Sequence, residues 1–147
     1  MMARGSAVTE IGRTPTDVFA VLADVTKNAR WASASIEGHL TSPGPVGVGS
    51  TAREVTRFLG RRMETDSEVI EFIPGRRLAY IVRSGPFPFA GAFDVVPEGD
   101  RSRVTATFEA TPTGMFRLLG PVFIRLATRQ FARDLGSLKR RMEAQEM

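Results

Sequence analysis

Along the middle of the chain apolar and polar residues alternate, while near both ends apolar residues recur at three- and four-residue spacing. The alternation is cleanest in "RVTATFEA". Val104, Ala106, Phe108 and Ala110 fall on one face, and Arg103, Thr105, Thr107 and Glu109 on the other. A period of two predicts a strand with one buried face. A turn at Gly99-Asp100 would join it to "AFDVVPE", setting Val95 against Val104 and Phe93 against Ala106. In "GRTPTDVFAVLADV" the pattern becomes helical through Val18, Leu22 and Val25. Thr14 can cap, Pro15 suits the first helical position, and Asp17 stands three residues after the cap. "TKNARWA" predicts a second short helix ending near Trp31. The last segment predicts a long amphipathic helix, with a break near Gly120-Pro121. Phe123 and Leu126 share one of its faces, while Ala127, Phe131, Leu135, Leu138 and Met142 form a stripe that drifts round it. Such drift suits a helix lying across a curved surface. The order is therefore one short strand, two short helices, six strands and a long helix.

Two central hairpins set which residues face inward. A turn at Gly60-Arg61 pairs Arg57 with Glu64, Val55 with Asp66 and Arg53 with Glu68 on one side. The other side then carries Phe58 with Met63, Thr56 with Thr65, Glu54 with Ser67 and Ala52 with Val69. Opposite charges aligned across strands mark the wet face, so the side with Phe58, Met63 and Val69 points inward. A turn at Pro74-Gly75 pairs Val69 with Tyr80, Ser67 with Val82 and Asp66 with Arg83, which gives the same parity. A one-residue slip would invert every side chain, so the agreement of two turns carries weight.

A chain of 147 residues fits one domain over 1–147, with 42% apolar and 24% charged residues. With no cysteine and a single histidine, disulfides, thiolate metal sites and multi-histidine metal sites are excluded, and no metal or cofactor is expected. The start, "MMARGSAVTEIG", lacks the apolar core of a secretory signal, and no apolar run approaches the roughly 20 residues of a membrane span. A cytoplasmic location is expected. The net charge of +4 raises the question of nucleic acid or an anionic membrane. The arginines argue against nucleic acid, because many sit at turns ("GRR" twice, "DRSR") and others (Arg125, Arg129, Arg133) stripe one helix face.

Few residues carry candidate chemistry. "GVGSTA" has dinucleotide-binding spacing but is preceded by "TSPGP" and followed by an alternating strand, so it reads as a loop entering a strand. His39 shares a strand face with Glu37 and reads as a surface residue. Glu54 is different. The register sends it inward beside Thr56, Thr65 and Ser67, where desolvation would raise its pKa and suit it to proton transfer or to a ligand hydroxyl. An inner face that mixes these polar groups and the Tyr80 hydroxyl with Phe58 and Met63 is the signature of a small-molecule cavity. "SGPFPFAGAF" belongs to the same wall. Phe87, Phe89 and Phe93 share the inner parity, Pro86 and Pro88 cannot donate ladder hydrogen bonds, and Gly91 leaves an empty spot where a ligand or another side chain could approach closely. This stretch reads as a loop at the cavity mouth, a candidate gate, running into a lining strand.

The phrases "TPTDVFAVLADVTKNARW", "GPVGVGSTAREV", "SEVIEFIPGRRLAYIV" and "LGSLKRRMEAQ" resemble the START-like, helix-grip superfamily that includes the pollen-allergen fold, in its polyketide cyclase/dehydrase-type branch. The resemblance implies an α+β fold: a seven-stranded curved antiparallel sheet wrapped around a long C-terminal helix, with two short helices after the first strand. It also implies a cavity between sheet and helix for an apolar ligand of lipid, polyketide or isoprenoid class. Candidate lining residues are Trp31, Thr56, Phe58, Met63, Thr65, Ser67 and Val69, followed by Val82, Phe87, Phe89, Phe93 and Phe108. Phe123 and Leu126 would contribute from the helix. Three functions stay open: a carrier or sensor, a cyclase or dehydratase using Glu54 as acid/base with Tyr80 polarising a carbonyl, and a partner-binding module of quinone-binding or ribosome-associated type.

Overall fold

A computed structural model describes residues 3–58, 60–84, 88–111, 113, 115–118 and 120–147, with Phe58, Met115 and Phe116 described by backbone alone. Strand β1 (Ala3–Ile11) leads into helix α1 (Pro15–Leu22), a 3-10 turn (Val25–Lys27) and the single-turn helix α2 (Asn28–Trp31). Strands β2 (Ser35–Leu40), β3 (Thr51–Phe58), β4 (Arg61–Ile73), β5 (Arg77–Val82), β6 (Phe89–Glu98) and β7 (Arg101–Ala110) follow. The chain then turns through α3 (Met115–Leu118) into α4 (Gly120–Glu143). The seven strands form one antiparallel sheet in the order β1-β7-β6-β5-β4-β3-β2.

The capping chemistry of α1 is that of its sequence. The Asp17 N–H donates to the Thr14 hydroxyl at 3.3 Å, and Pro15 occupies the first turn. The β6–β7 hairpin has the expected register, with Val95 opposite Val104 and Phe93 opposite Ala106.

Both other hairpins differ in their turns yet keep the predicted faces. Phe58 pairs with Arg61, so the β3–β4 turn precedes Arg61 instead of including it. Gly60 there has φ +77, a conformation glycine adopts without a Cβ clash. The displacement moves every pair by two residues. Thr56 now faces Met63, Glu54 faces Thr65, and Arg57 faces Arg62 in place of Glu64. The Arg53 guanidinium finds Asp66, at 3.0 Å, in place of the expected Glu68. In the β4–β5 hairpin Ile73 pairs with Arg77, leaving a three-residue loop closed by the Arg76 N–H on the Ile73 carbonyl at 2.9 Å. A bulge between Val69 and Glu71 absorbs the extra residue, so Val69 still meets Tyr80 and Ser67 still meets Val82. It also turns Phe72 inward, edge-on to Phe19.

The core lies where α4 runs along β1. Ile11, Val18, Val104 and Leu138 are fully enclosed, with Leu135 and Met142 beside them. The exit of β1 is tied to the end of α4, because the Gly12 N–H donates to the Glu143 carboxylate at 2.8 Å and Arg13 donates to the Met142 carbonyl.

Candidate functional site

Beyond the core, the inner face of the sheet continues through β5, β4 and β3. Thr56, Met63, Thr65, Ser67, Val69, Tyr80 and Val82 all remain only half-buried there. Glu54 stands in this wall. Its carboxylate accepts from the Ser35 hydroxyl at 2.8 Å and from the Asn28 side-chain amide at 3.3 Å. Burial pushes its pKa up, opposed by those two hydrogen bonds, so Glu54 holds a proton more readily than an ordinary carboxyl. Its stem lies over Gly38 of β2, where an added Cβ would come within 2.9 Å of Cγ.

Helix α2 presents the other polar groups. Asn28 and Trp31 are three residues apart and so share one face of a single turn. The Trp31 ring is buried, meeting Phe93 edge-on with centroids 6.0 Å apart. Among the described residues, two buried polar atoms have no hydrogen-bond partner, the Trp31 indole Nε1 and the Asn28 Oδ1. Asp134 of α4 lies near the loop after α2, where the Ser33 backbone and hydroxyl favour its charged form. Asp134 is itself buried, and its pKa is raised by that burial.

Tyr80 completes the wall. Its ring lies against Gly91 on the neighbouring strand, where a Cβ would fall 2.5 Å from the phenolic oxygen. The group that approaches Gly91 closely is thus the Tyr80 side chain. Burial, and after it the negative charge of Glu54, raises the Tyr80 pKa far above that of a free phenol. The hydroxyl is therefore a protonated donor throughout the physiological range.

Of the expected lining residues, the structure brings Trp31, Tyr80 and Phe93 together through ring contacts. Phe89 stacks on Phe108, which stacks on Phe131 of α4 at 4.9 Å. Phe108 is fully buried and belongs to the core, as does Phe123 at 8% exposure. Leu126 is a correction. At 52% exposure it points away from the sheet, because the buried stripe of α4 runs through Phe123, Leu135, Leu138 and Met142. Phe87 and the Phe58 side chain lie outside the described residues, as does Pro86 of the expected gate. From Phe89 onward β6 is paired on both sides. His39 is exposed, and "GVGSTA" is a loop entering β3. Sequence reasoning missed Asn28 and Ser35. The three-residue spacing of Asn28 from Trp31 was an available signal for the first, whereas Ser35 meets Glu54 only through the β2–β3 register.

Two concavities lined wholly by described residues lie elsewhere. One of about 570 Å³ crosses the outer face of β1, β7, β6 and β5 over Ser6, Thr107, Ala92 and Ala79. The other, about 340 Å³, lies between the end of α1, the 3-10 turn, Leu40 and Val46. Among the described residues there is no cluster of metal-ligating side chains and no helix long and apolar enough to cross a membrane.

Residues 2–143 match the family described as polyketide cyclase / dehydrase and lipid transport. The chain belongs to that family. Comparison with curated protein sequences gave no match. Solved structures do resemble it along nearly their whole length. A START superfamily protein from Mycobacterium smegmatis superposes with a TM-score of 0.84 at 15% identity, covering 96% of this chain and 97% of that one. A protein from Thermus thermophilus gives 0.82 at 20% identity, covering 98% and 99%. The ZhuI aromatase/cyclase of a Streptomyces species gives 0.79 at 16% identity, covering 98% of both chains. At these identities the likeness establishes the helix-grip fold.

Proposed function

We propose that this family member binds a mostly apolar small molecule of lipid, polyketide or isoprenoid class between the sheet and α4, as a carrier or sensor. One observation carries the reading. Among the described residues, the Trp31 Nε1 and Asn28 Oδ1 are buried without a hydrogen-bond partner, on the helix that also supplies a hydrogen bond to Glu54. Buried polar groups are nearly always satisfied, and a ligand with an acceptor for the indole N–H and a donor for the amide oxygen would satisfy both. The half-buried wall of β3–β5 would take its apolar body, at about 25 cal/mol per Å² removed from water. Glu54, Ser67 and Tyr80 would orient it. The absence of cysteine suits work in a reducing cytoplasm.

Native mass spectrometry of the purified protein tests the reading, together with titration of the apolar dye anilinonaphthalene sulfonate. Trp31→Phe keeps an aromatic ring against Phe93 and removes only the donor. A co-purifying apolar ligand is expected, bound about tenfold less tightly by Trp31→Phe, the worth of one hydrogen bond in a dry site. If nothing co-purifies and the dye binds equally with or without the indole N–H, the reading fails.

A second reading, an enzyme of cyclase or dehydratase type, is favoured by the raised pKa of Glu54 beside the protonated Tyr80 hydroxyl. In that case Glu54 would move the proton and Tyr80 would polarise a carbonyl. Glu54→Gln would then abolish turnover while leaving ligand affinity in place.

A further inference from the structure

Two groups of arginines differ sharply in their surroundings. On the sheet and at the exit of β1, Arg4, Arg13, Arg53, Arg77, Arg83 and Arg103 each pair with a carboxylate. On α4, Arg125, Arg129 and Arg133 are exposed and make no ion pair among the described residues. The sequence explains why. Between Glu109 and Asp134 there is no acidic residue, and Asp134 is itself buried, feeling the charge of Arg133 without forming an ion pair with it.

Apolar side chains share that surface. Val122 and Leu126 are 55% and 52% exposed, and at about 100° per residue they fall on the same arc as the three arginines. Leu118 of α3, just ahead of them, is 85% exposed. A soluble helix ordinarily turns such residues inward, yet the inward face here is already taken by Phe123, Leu135 and Leu138. Position adds to the pattern. Ala110, at the end of β7, pairs with Phe89, at the start of β6, so the chain enters α3 at the end of the sheet where β6 begins. The β3–β4 tip lies at that same end and carries exposed Arg57, Arg61 and Arg62.

We infer that α3 and the first half of α4 form a docking surface for an anionic lipid bilayer. Leu118, Val122 and Leu126 enter the headgroup region while Arg125, Arg129 and Arg133 pair with lipid phosphates. Unpaired cations interleaved with exposed aliphatic side chains on one helix face are what an interfacial helix requires. Nucleic acid would use the arginines but leave the aliphatic groups without a role. The surface is separate from the concave wall, so the inference stands whatever that wall holds.

Flotation of the full chain with phosphatidylcholine vesicles, with and without one third phosphatidylglycerol, tests it. Binding is expected to the anionic vesicles alone and to fade as salt rises. Each arginine near an anionic surface contributes roughly fivefold to affinity, so R125Q/R129Q/R133Q is expected to bind roughly a hundredfold more weakly. L118S/V122S/L126S, which touches no buried residue, is expected to lose about tenfold. R4Q/R103Q, which removes two paired arginines from the sheet, serves as the control. Equal binding to neutral vesicles, unchanged binding by the arginine variant, or unchanged binding by the aliphatic variant would overturn the inference. Capture of polyuridine RNA through the same arginines, without vesicle binding, would overturn it in favour of nucleic acid.

Discussion

The two halves of the inner sheet face share one strand parity and one long helix, yet differ in kind. On β7 and β1 the inward residues are Val104, Ala106, Phe108, Ala7 and Ile11, all buried beneath α4. On β3 and β4 Glu54, Thr56, Met63, Thr65 and Ser67 are half-buried, with Ala52 buried beside Ser67 near the start of β3. The position of α4 makes the difference. It packs along β1, meets α2, stacks Phe131 on Phe108 of β7, and lays Leu135, Leu138 and Met142 against Val104 and Ala106 in the core. One half is therefore a closed core that supplies stability. The other is a wall whose side chains have no complete set of protein neighbours, and there the polar residues collect.

The largest test of this division is a pair of truncations. Phe108→Ala removes a ring stacked between Phe89 and Phe131 and should cost about 3–5 kcal/mol in chemical denaturation. Met63→Ala, on the open half, should cost less than about 1 kcal/mol, because its side chain is only partly enclosed. Equal losses would mean that the two halves are one continuous core.

A smaller effect is expected at the seam. Gly91 joins β5 to β7 beneath the Tyr80 ring, and the Cβ of Gly91→Ala would fall 2.6 Å from the ring carbon that bears the hydroxyl. The ring must swing away, at a cost of about 1–3 kcal/mol. Tyr80 is the sole tyrosine, so tyrosinate absorbance reports on it alone. Gly91→Ala should ionise at lower pH than the parent as the ring gains water. An unchanged titration would place Tyr80 in the closed core instead.

Much of this division is legible in the sequence. The alternation in "RVTATFEA" and the Gly99-Asp100 turn specify β7 and its register, because strict parity and a positive-φ glycine leave few alternatives. The inward side of Glu54, Thr65 and Ser67 is legible for a similar reason. A turn displaced by one residue moves the pairing by two and keeps each side chain on its face. The individual partners across β3 and β4 are not legible. The bulge at Ile70 and the inward turn of Phe72 answer to packing against Phe19, which no local pattern carries. Leu126 is misplaced by periodicity because a helical period gives the width of a face but not its direction. The meeting of Asn28, Ser35 and Glu54 depends on where α2 lies relative to β3, a tertiary fact without a local signal.

The finest test of the open half is Glu54→Gln. The carboxyl sits above its ordinary value of 4.5 because burial penalises its charged form more than Ser35 and Asn28 favour it. Between the ordinary value and the raised one, the folded protein binds more protons at Glu54 than the unfolded chain does. Stability therefore falls as pH rises through that window, and the ionised group remains a net cost above it. Gln is neutral at every pH and keeps an oxygen to accept from Ser35 and Asn28. The variant should match the parent at low pH, where Glu54 is protonated in both states, and exceed it at neutral pH. A rise in Tm at neutral pH is therefore expected, and no difference at low pH. Asp134, also raised by burial, is present in both proteins and cancels from the difference. A variant less stable at neutral pH would show that the two hydrogen bonds outweigh desolvation. Glu54 would then belong to a closed structural network, and the polar atoms of α2 would have to find their partners without it.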